Sequence, residues 1–259
     1  LTYLINENQQ TYFSFARANR EPNRTDYKSG VPKPERLNDF ELGWKLSNEK
    51  LQVNINGYYM RYKNQLVLTG ALNDVGAPMR ENSGDSYRLG IEIDGAWAIT
   101  NKFIWAPSIT LSSNKNIDFK AHIDGEVKNL GNTNIAFSPN LVASNAFTYL
   151  LKEDFSISLL TKFVGQQYMG NTDSKYSKLD SYFTNDLVFN YSLKTKKWFS
   201  SIDFNLMVNN IFNVKYISNG YYYTYDDNWS NPNTTKTIEG AGYYPQAMFN
   251  ILGGISLKF

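Results

Sequence analysis

The stretch Ser201-Ile-Asp-Phe-Asn-Leu-Met-Val208 decides the fold. Ile202, Phe204, Leu206 and Val208 alternate with Ser201, Asp203, Asn205 and Met207. Successive side chains of an extended strand point to opposite faces, so every apolar residue except Met207 lies on one side. The same period of two recurs along the chain. Tyr87, Leu89, Ile91, Ile93 and Trp97 oppose Arg88, Glu92 and Asp94. Phe40, Leu42, Trp44 and Leu46, then Leu51, Val53 and Ile55, repeat it, as do Phe155, Ile157, Leu159 and Phe163. Phe183, Leu187, Phe189, Tyr191 and Leu193 form another such row. No segment sustains helical spacing over three turns, so the chain reads as all-β.

Ten strands are expected, at 10–20, 36–47, 51–67, 86–99, 103–115, 140–151, 155–169, 182–194, 200–212 and 244–259, with 1–5 as the tail of an eleventh. Several exceed the roughly 9–11 residues that a strand needs to cross a bilayer. The connections alternate strictly. Short ones lie at 6–9, 48–50, 100–102, 152–154 and 195–199; long ones lie at 21–35, 68–85, 116–139, 170–181 and 213–243. An antiparallel up-and-down transmembrane β-barrel has tight turns on one side and long loops on the other. The long connections hold six of the eight Pro and the single His122. Pro107 interrupts an expected strand, and a bulge or a missing ladder bond is expected there.

Composition fits this reading. The chain has 259 residues, with 31 Asn, 19 Tyr, 16 Phe and a net charge near +2. Length alone suggests one large domain or two small ones. Aromatics reach 15% although mean hydropathy is −0.46. Lipid-facing and lumen-facing residues of a barrel cancel in such an average. Near-neutral charge gives no electrostatic reason to expect nucleic acid. The absence of Cys excludes disulfide staples and Cys-based metal, redox or nucleophilic sites. A lone His leaves no His-His metal motif, no Ser-His arrangement and no cofactor site, and no Gly-rich phosphate loop is present. An enzyme is not expected. The opening residues Leu1-Thr-Tyr-Leu-Ile5 read as mid-strand, with no signal peptide, and suggest the C-terminal piece of something longer.

Four motifs then resemble a known family. Phe13-Ser-Phe-Ala-Arg-Ala-Asn-Arg-Glu-Pro-Asn-Arg-Thr-Asp-Tyr27 is similar to a late strand and loop opening of TonB-dependent receptors. Pro34-Glu35 followed by Phe40-Glu-Leu-Gly43 resembles their next strand. Val208-Asn-Asn-Ile-Phe-Asn-Val-Lys-Tyr-Ile217 resembles their penultimate-strand motif, and Pro245 before a last strand ending in Phe259 resembles their C-terminus. The resemblance covers residues 10–259. It implies a 22-stranded outer-membrane barrel with a plug inside, of which residues 1–259 form the C-terminal part. The N-terminal half, the plug and the TonB-contacting segment would lie outside this chain. It further implies import of a scarce nutrient: an iron chelate (siderophore) first, then haem or cobalamin.

Candidate residues follow. Tyr216, Tyr221, Tyr222, Tyr223, Tyr225 and Trp229 give the last long loop rigid contact area for a flat ligand. Packing among loops and an interfacial aromatic belt are the structural alternative. Asp226-Asp227 lacks a calcium-loop pattern and reads as a solvated turn. Arg20, Arg24, Lys28 and Lys33 offer charge to an anionic ligand or to lipopolysaccharide, against a plain solvated loop. Glu41, Lys45, Arg88, Glu92, Asp94, Lys162, Asp186 and Asp203 are expected to face the lumen, contacting the plug or pairing along the wall. Phe249, Ile251, Ile255, Leu257 and Phe259 form the terminal apolar tail, which the resemblance makes an outer-membrane assembly signal.

Two other classes compete: a passive porin or adhesin-type barrel without a plug, and a soluble all-β binding module. Purification decides the second. The chain is expected to stay in solution only with detergent, and detergent-free solubility would sink the barrel reading.

Overall fold

A computed structural model describes all residues except 25, 73–77 and 196–197. Eleven strands form one continuous antiparallel meander. They are β1 (Thr2–Asn6), β2 (Gln9–Arg20), β3 (Glu35–Ser47), β4 (Leu51–Lys63), β7 (Ser86–Thr100), β8 (Phe103–Asn116), β12 (Leu141–Lys152), β13 (Phe155–Val164), β16 (Tyr182–Lys194), β17 (Ser201–Asn209) and β20 (Asn250–Lys258). The intervening elements are hairpins of the long connections. These are β5 (Leu66–Leu72) with β6 (Pro78–Asn82), β9 (Lys120–Ile123) with β10 (Glu126–Asn129), β14 (Gln167–Tyr168) with β15 (Lys178–Leu179), and β18 (Ile217–Asp227) with β19 (Lys236–Pro245). Short β11 (Thr133–Asn134) adds to β8. Each wall strand pairs with its neighbours in the chain, and β1 and β20 are the two edges of the sheet.

The register carries the alternation across the wall. Trp44, Ile55, Ile93, Ile109, Ala143, Phe163 and Phe183 form one unbroken cross-strand row. Trp105, Phe147, Leu159, Leu187, Val208 and Ile251 form another. Many of these side chains remain exposed, including Ile91 at 50% and Leu111 at 53%. A contiguous apolar face of this size is suited to hydrocarbon rather than water.

Aromatic rings border the apolar band. Toward the long connections, Phe15 lies 4.9 Å from Phe40, and Phe40 lies 6.5 Å from Tyr59. Toward the short turns, Trp105 stacks on Phe147 at 6.1 Å, and Tyr191 on Phe204 at 6.1 Å. Rings at both borders match the girdles of membrane barrels. One row within the band is polar. Asn145 accepts the Trp105 indole N–H at 2.7 Å and donates to Thr161 at 3.0 Å. These groups satisfy one another, which lowers the cost of placing them among apolar neighbours.

The opposite face is polar. The Tyr12 hydroxyl donates to Asn56 at 3.1 Å, and the Lys45 ammonium sits 5.4 Å from the Tyr12 ring centre. Tyr12 lies across its register partner Gly43, where a Cβ would come within 2.1 Å of the ring. Glycine therefore provides the bed for that ring, and the tyrosine covers the gap. Asn54 donates to Asp94 at 2.8 Å, Arg88 to Ser138 at 2.8 Å, and the Asn210 N–H to Asp186 at 2.7 Å. Asp203 pairs with Lys258 at 2.7 Å. Glu41, Glu92 and Lys162 share this face by register with Tyr58, Asn56 and Thr184.

Several expected boundaries shift. Strand 51–67 divides at Asn64, whose φ of 55° starts a turn, and the hairpin begins at Leu66. Strand 155–169 stops at Val164. Strand 200–212 stops at Asn209, because Asn210 takes a φ of 50°. The last strand begins at Asn250, not 244; Tyr244 and Pro245 belong to the loop hairpin β18–β19. Phe249 thus precedes the terminal strand. Pro107 produces the missing pairing rather than a bulge. The β7–β8 ladder lapses between Asp94↔Ser108 and Trp97↔Trp105 and resumes in the same register.

The two faces predict opposite responses to charge. Ile93→Arg, in the middle of the apolar band, should cost about 2–4 kcal/mol of unfolding free energy in a bilayer. Thr110→Lys on the polar face should change it little. Denaturant titration in lipid vesicles measures both.

Candidate functional site

All eight non-glycine residues with positive φ among the described residues lie in long connections, and seven are Asn or Asp. Their short polar side chains tolerate this conformation and bond to nearby backbone. Asn210 shows how. It is 3% exposed; its Oδ1 accepts the Val214 N–H at 2.9 Å, and its Nδ2 donates to Val214 O at 2.8 Å. Asn209 bonds Asn250 at 2.8 Å, and Asn213 Oδ1 accepts the Phe249 N–H at 3.0 Å. The Asn-Asn-Ile-Phe-Asn motif therefore clasps the exit of β17 to the entry of β20.

Above this end of the sheet, four of the five long connections converge on one cavity of about 480 Å³. The first contributes Val67, Thr69, Glu81, Asn82 and Ser83. The second contributes Phe119, Lys120, Ala121, His122, Ile123 and Asp124. The third contributes Thr172, and the last contributes Tyr222, Thr224, Thr237 and Glu239. Val67 and Phe119 are buried, at 8% and 5% exposure, and give an apolar patch within a hydroxyl-rich lining.

Tyr222 is the aromatic centre of the cavity. Its hydroxyl donates to Glu239 and lies 3.5 Å from the Thr172 hydroxyl. Burial first, and the bond to Glu239 second, push its pKa up to about 12. It is therefore a neutral phenol at physiological pH. Gly170 lies against the ring, where a Cβ would come within 2.6 Å.

A clasp closes one side. Thr237 Oγ1 accepts the Asp124 N–H at 2.7 Å and donates to Asp226 at 2.7 Å, while the Thr237 N–H donates to Asp124 Oδ1 at 3.1 Å. Lys128 pairs with Asp124 at 2.9 Å. The tip of β9–β10 is thereby fastened to β18–β19. Hydrogen bonds from Lys128, then from the Thr237 backbone, hold the Asp124 carboxyl below its ordinary value of 3.8. Asp227 is likewise lowered, by bonds from Ser230 above all, and its carboxylate also accepts the Trp229 N–H at 3.2 Å. The acidic pair thus serves the turn and the clasp.

Of the aromatic loop residues singled out from sequence, Tyr222 lines the cavity. Its neighbours in the alternation face the other side of the hairpin. Tyr221 lies 6.2 Å from Tyr223, and Tyr225 stacks on Trp229 at 6.0 Å. Tyr216 packs on Tyr182 at 4.6 Å and lines a separate hollow with Lys215 and Tyr243. Arg20, at the end of β2, and Arg24 are exposed and outside the cavity. Glu81, His122 and Glu239 enter it from three connections. Sequence reading had no signal for them, because nothing local joins positions so far apart.

Comparison with known proteins agrees with this architecture. Residues 1–211 match the family described as TonB dependent receptor-like, beta-barrel. The chain belongs to that family. No curated protein matches the sequence. Among solved structures, the chain is similar to the ferric yersiniabactin uptake receptor FyuA from Yersinia pestis, at 14% identity and a TM-score of 0.65, covering 97% of this chain and 35% of that one. The siderophore receptor PiuA from Acinetobacter baumannii gives 17% and 0.66, covering 98% and 34%. The copper transporter OprC gives 16% and 0.69, covering 97% and 38%. At these identities the likeness is one of fold. The chain spans about a third of the length of the structures it matches.

The clasp has a defined pH response. Asp124 is more acidic in the folded loops, so its contribution is complete above the ordinary carboxylate pKa and disappears as pH falls through the lowered value. Distances between spin labels on the two hairpin tips should stay constant from about pH 8 to 5 and spread only below roughly pH 4. Thr237→Val should spread them at neutral pH.

Proposed function

We propose that this chain is the C-terminal part of the barrel of an outer-membrane receptor that imports a scarce nutrient. The observation that carries the reading is the convergence of four long connections on one cavity at one end of the sheet. Family membership supports it, and does not favour a passive porin. The exposed edges of β1 and β20 would pair with the N-terminal strands of the same barrel, since lipid cannot satisfy unpaired backbone groups. A plug would fill the lumen against the polar face, and energy would arrive through TonB by way of the segment preceding the barrel. The apolar tail, with Ile251, Ile255 and Leu257 on the apolar face and Phe259 4.9 Å from Phe199, suits an assembly signal.

An iron chelate is the first choice of ligand, with haem and cobalamin next. Similar receptors such as FyuA and PiuA bear ferric-uptake and siderophore names, and the cavity joins an aromatic ring to many hydroxyls. A strain deleted for the receptor should lose growth when a ferric chelate is the limiting iron source, and regain it with the intact gene. Loss confined to haem or to cobalamin would reassign the ligand. No growth defect on any of the three would refute the import reading.

A further inference from the structure

The described lining of the cavity carries more acidic than basic side chains. Glu81, Asp124 and Glu239 line it, against Lys120 and the single His122 among the described residues. Asp124 is neutralised by Lys128 at 2.9 Å. Neither Glu81 nor Glu239 takes part in an ion pair among the described residues. Glu239 accepts the Tyr222 hydroxyl, which fixes its side chain at the cavity wall. The two glutamates come from different connections, so the excess charge belongs to the assembled cavity and not to one acidic turn. The clasp at Asp124 and Thr237 holds the β9–β10 and β18–β19 walls together.

Charge at this position discriminates between ligands of equal size. A polyanion entering the cavity would lose water and meet unpaired carboxylates, which is unfavourable on both counts. A ligand with an ammonium group would instead supply the missing counter-charge, while its hydroxyl and amide groups met Tyr222 and the threonines, and its apolar parts met Val67 and Phe119. At physiological salt the Debye length is about 8 Å, so carboxylates in contact with a ligand are scarcely screened.

We infer that the cavity is built for a compact cationic ligand and rejects polyanions. Resting on the iron-chelate reading above, this assigns the cargo to the class of ferric trihydroxamates that carry a free ammonium group, and not to the trianionic ferric tris-catecholates. The neutral phenol of Tyr222 fits that class, because it offers a hydrogen bond and no further negative charge.

The test is equilibrium binding to the complete receptor in detergent. Three probes are compared: a ferric trihydroxamate with a free ammonium tail, the same chelate with that amine acetylated, and a ferric tris-catecholate. The cationic chelate should bind at least about tenfold more tightly than its acetylated form, and the tris-catecholate most weakly. The Glu81→Gln/Glu239→Gln double variant should lose most of the preference for the cation. Raising salt on the unmodified receptor should narrow the same preference, which gives a readout independent of how the variant folds. Equal binding of the two trihydroxamates, or tightest binding of the tris-catecholate, overturns the inference and leaves iron-chelate uptake standing. Binding of none of the three removes the iron-chelate reading and this inference with it.

Discussion

Every backbone N–H and C=O that enters hydrocarbon must find its partner within the protein. That single constraint organises the wall. Each strand from β2 to β17 meets it with a neighbour on both sides, and the meander keeps those neighbours consecutive in the chain. Because the ladder uses the backbone, side chains are left free to divide between two faces. Apolar rows such as Trp44–Ile55–Ile93–Ile109 take one face; Tyr12, Asn56 and Asp94 take the other. The two edges, β1 and β20, are where the same demand is still open and where further strands of a barrel would pair.

Irregular backbone is confined to the places where the constraint relaxes. Among the described residues, the positive-φ Asn and Asp positions all lie in long connections. The abundance of Asn is thus partly a property of that end of the molecule. Asn209, Asn210 and Asn213 replace the ladder with side-chain bonds as the chain leaves β17, and Asn250 receives one of them at the start of the last strand. The Asp124–Thr237 clasp applies the same chemistry between two hairpins. A cavity between loops can keep its shape on such bonds, although few of its residues are buried.

The wall was legible in the sequence because a period of two is a local signal and short turns punctuate it. All eleven wall strands were expected, and the errors lie at their long-connection ends. There the loop hairpins alternate as well: Tyr221, Tyr223 and Tyr225 share one face of β18 as regularly as Ile202, Phe204 and Leu206 share one face of β17. A pattern of alternation does not say whether the strand's partner is the wall or another loop segment. That is why Tyr244 and Pro245 read in the sequence as the start of the last strand, although they pair within β18–β19. It is also why Tyr222, which lines the cavity, reads in the sequence no differently from five other aromatic residues of its connection.

The sequence by itself determined the strands, their two-sided character and the alternation of short and long connections. These follow from spacing and composition, which are read along one dimension. Tertiary structure decided which side chains share the cavity. Glu81, His122 and the pair Tyr222 and Glu239 lie on three separate connections and meet only because the meander brings those connections to the same end of the sheet. The charge of the cavity is a sum over residues distant in the chain. It comes into being when ladder and clasp bring them together.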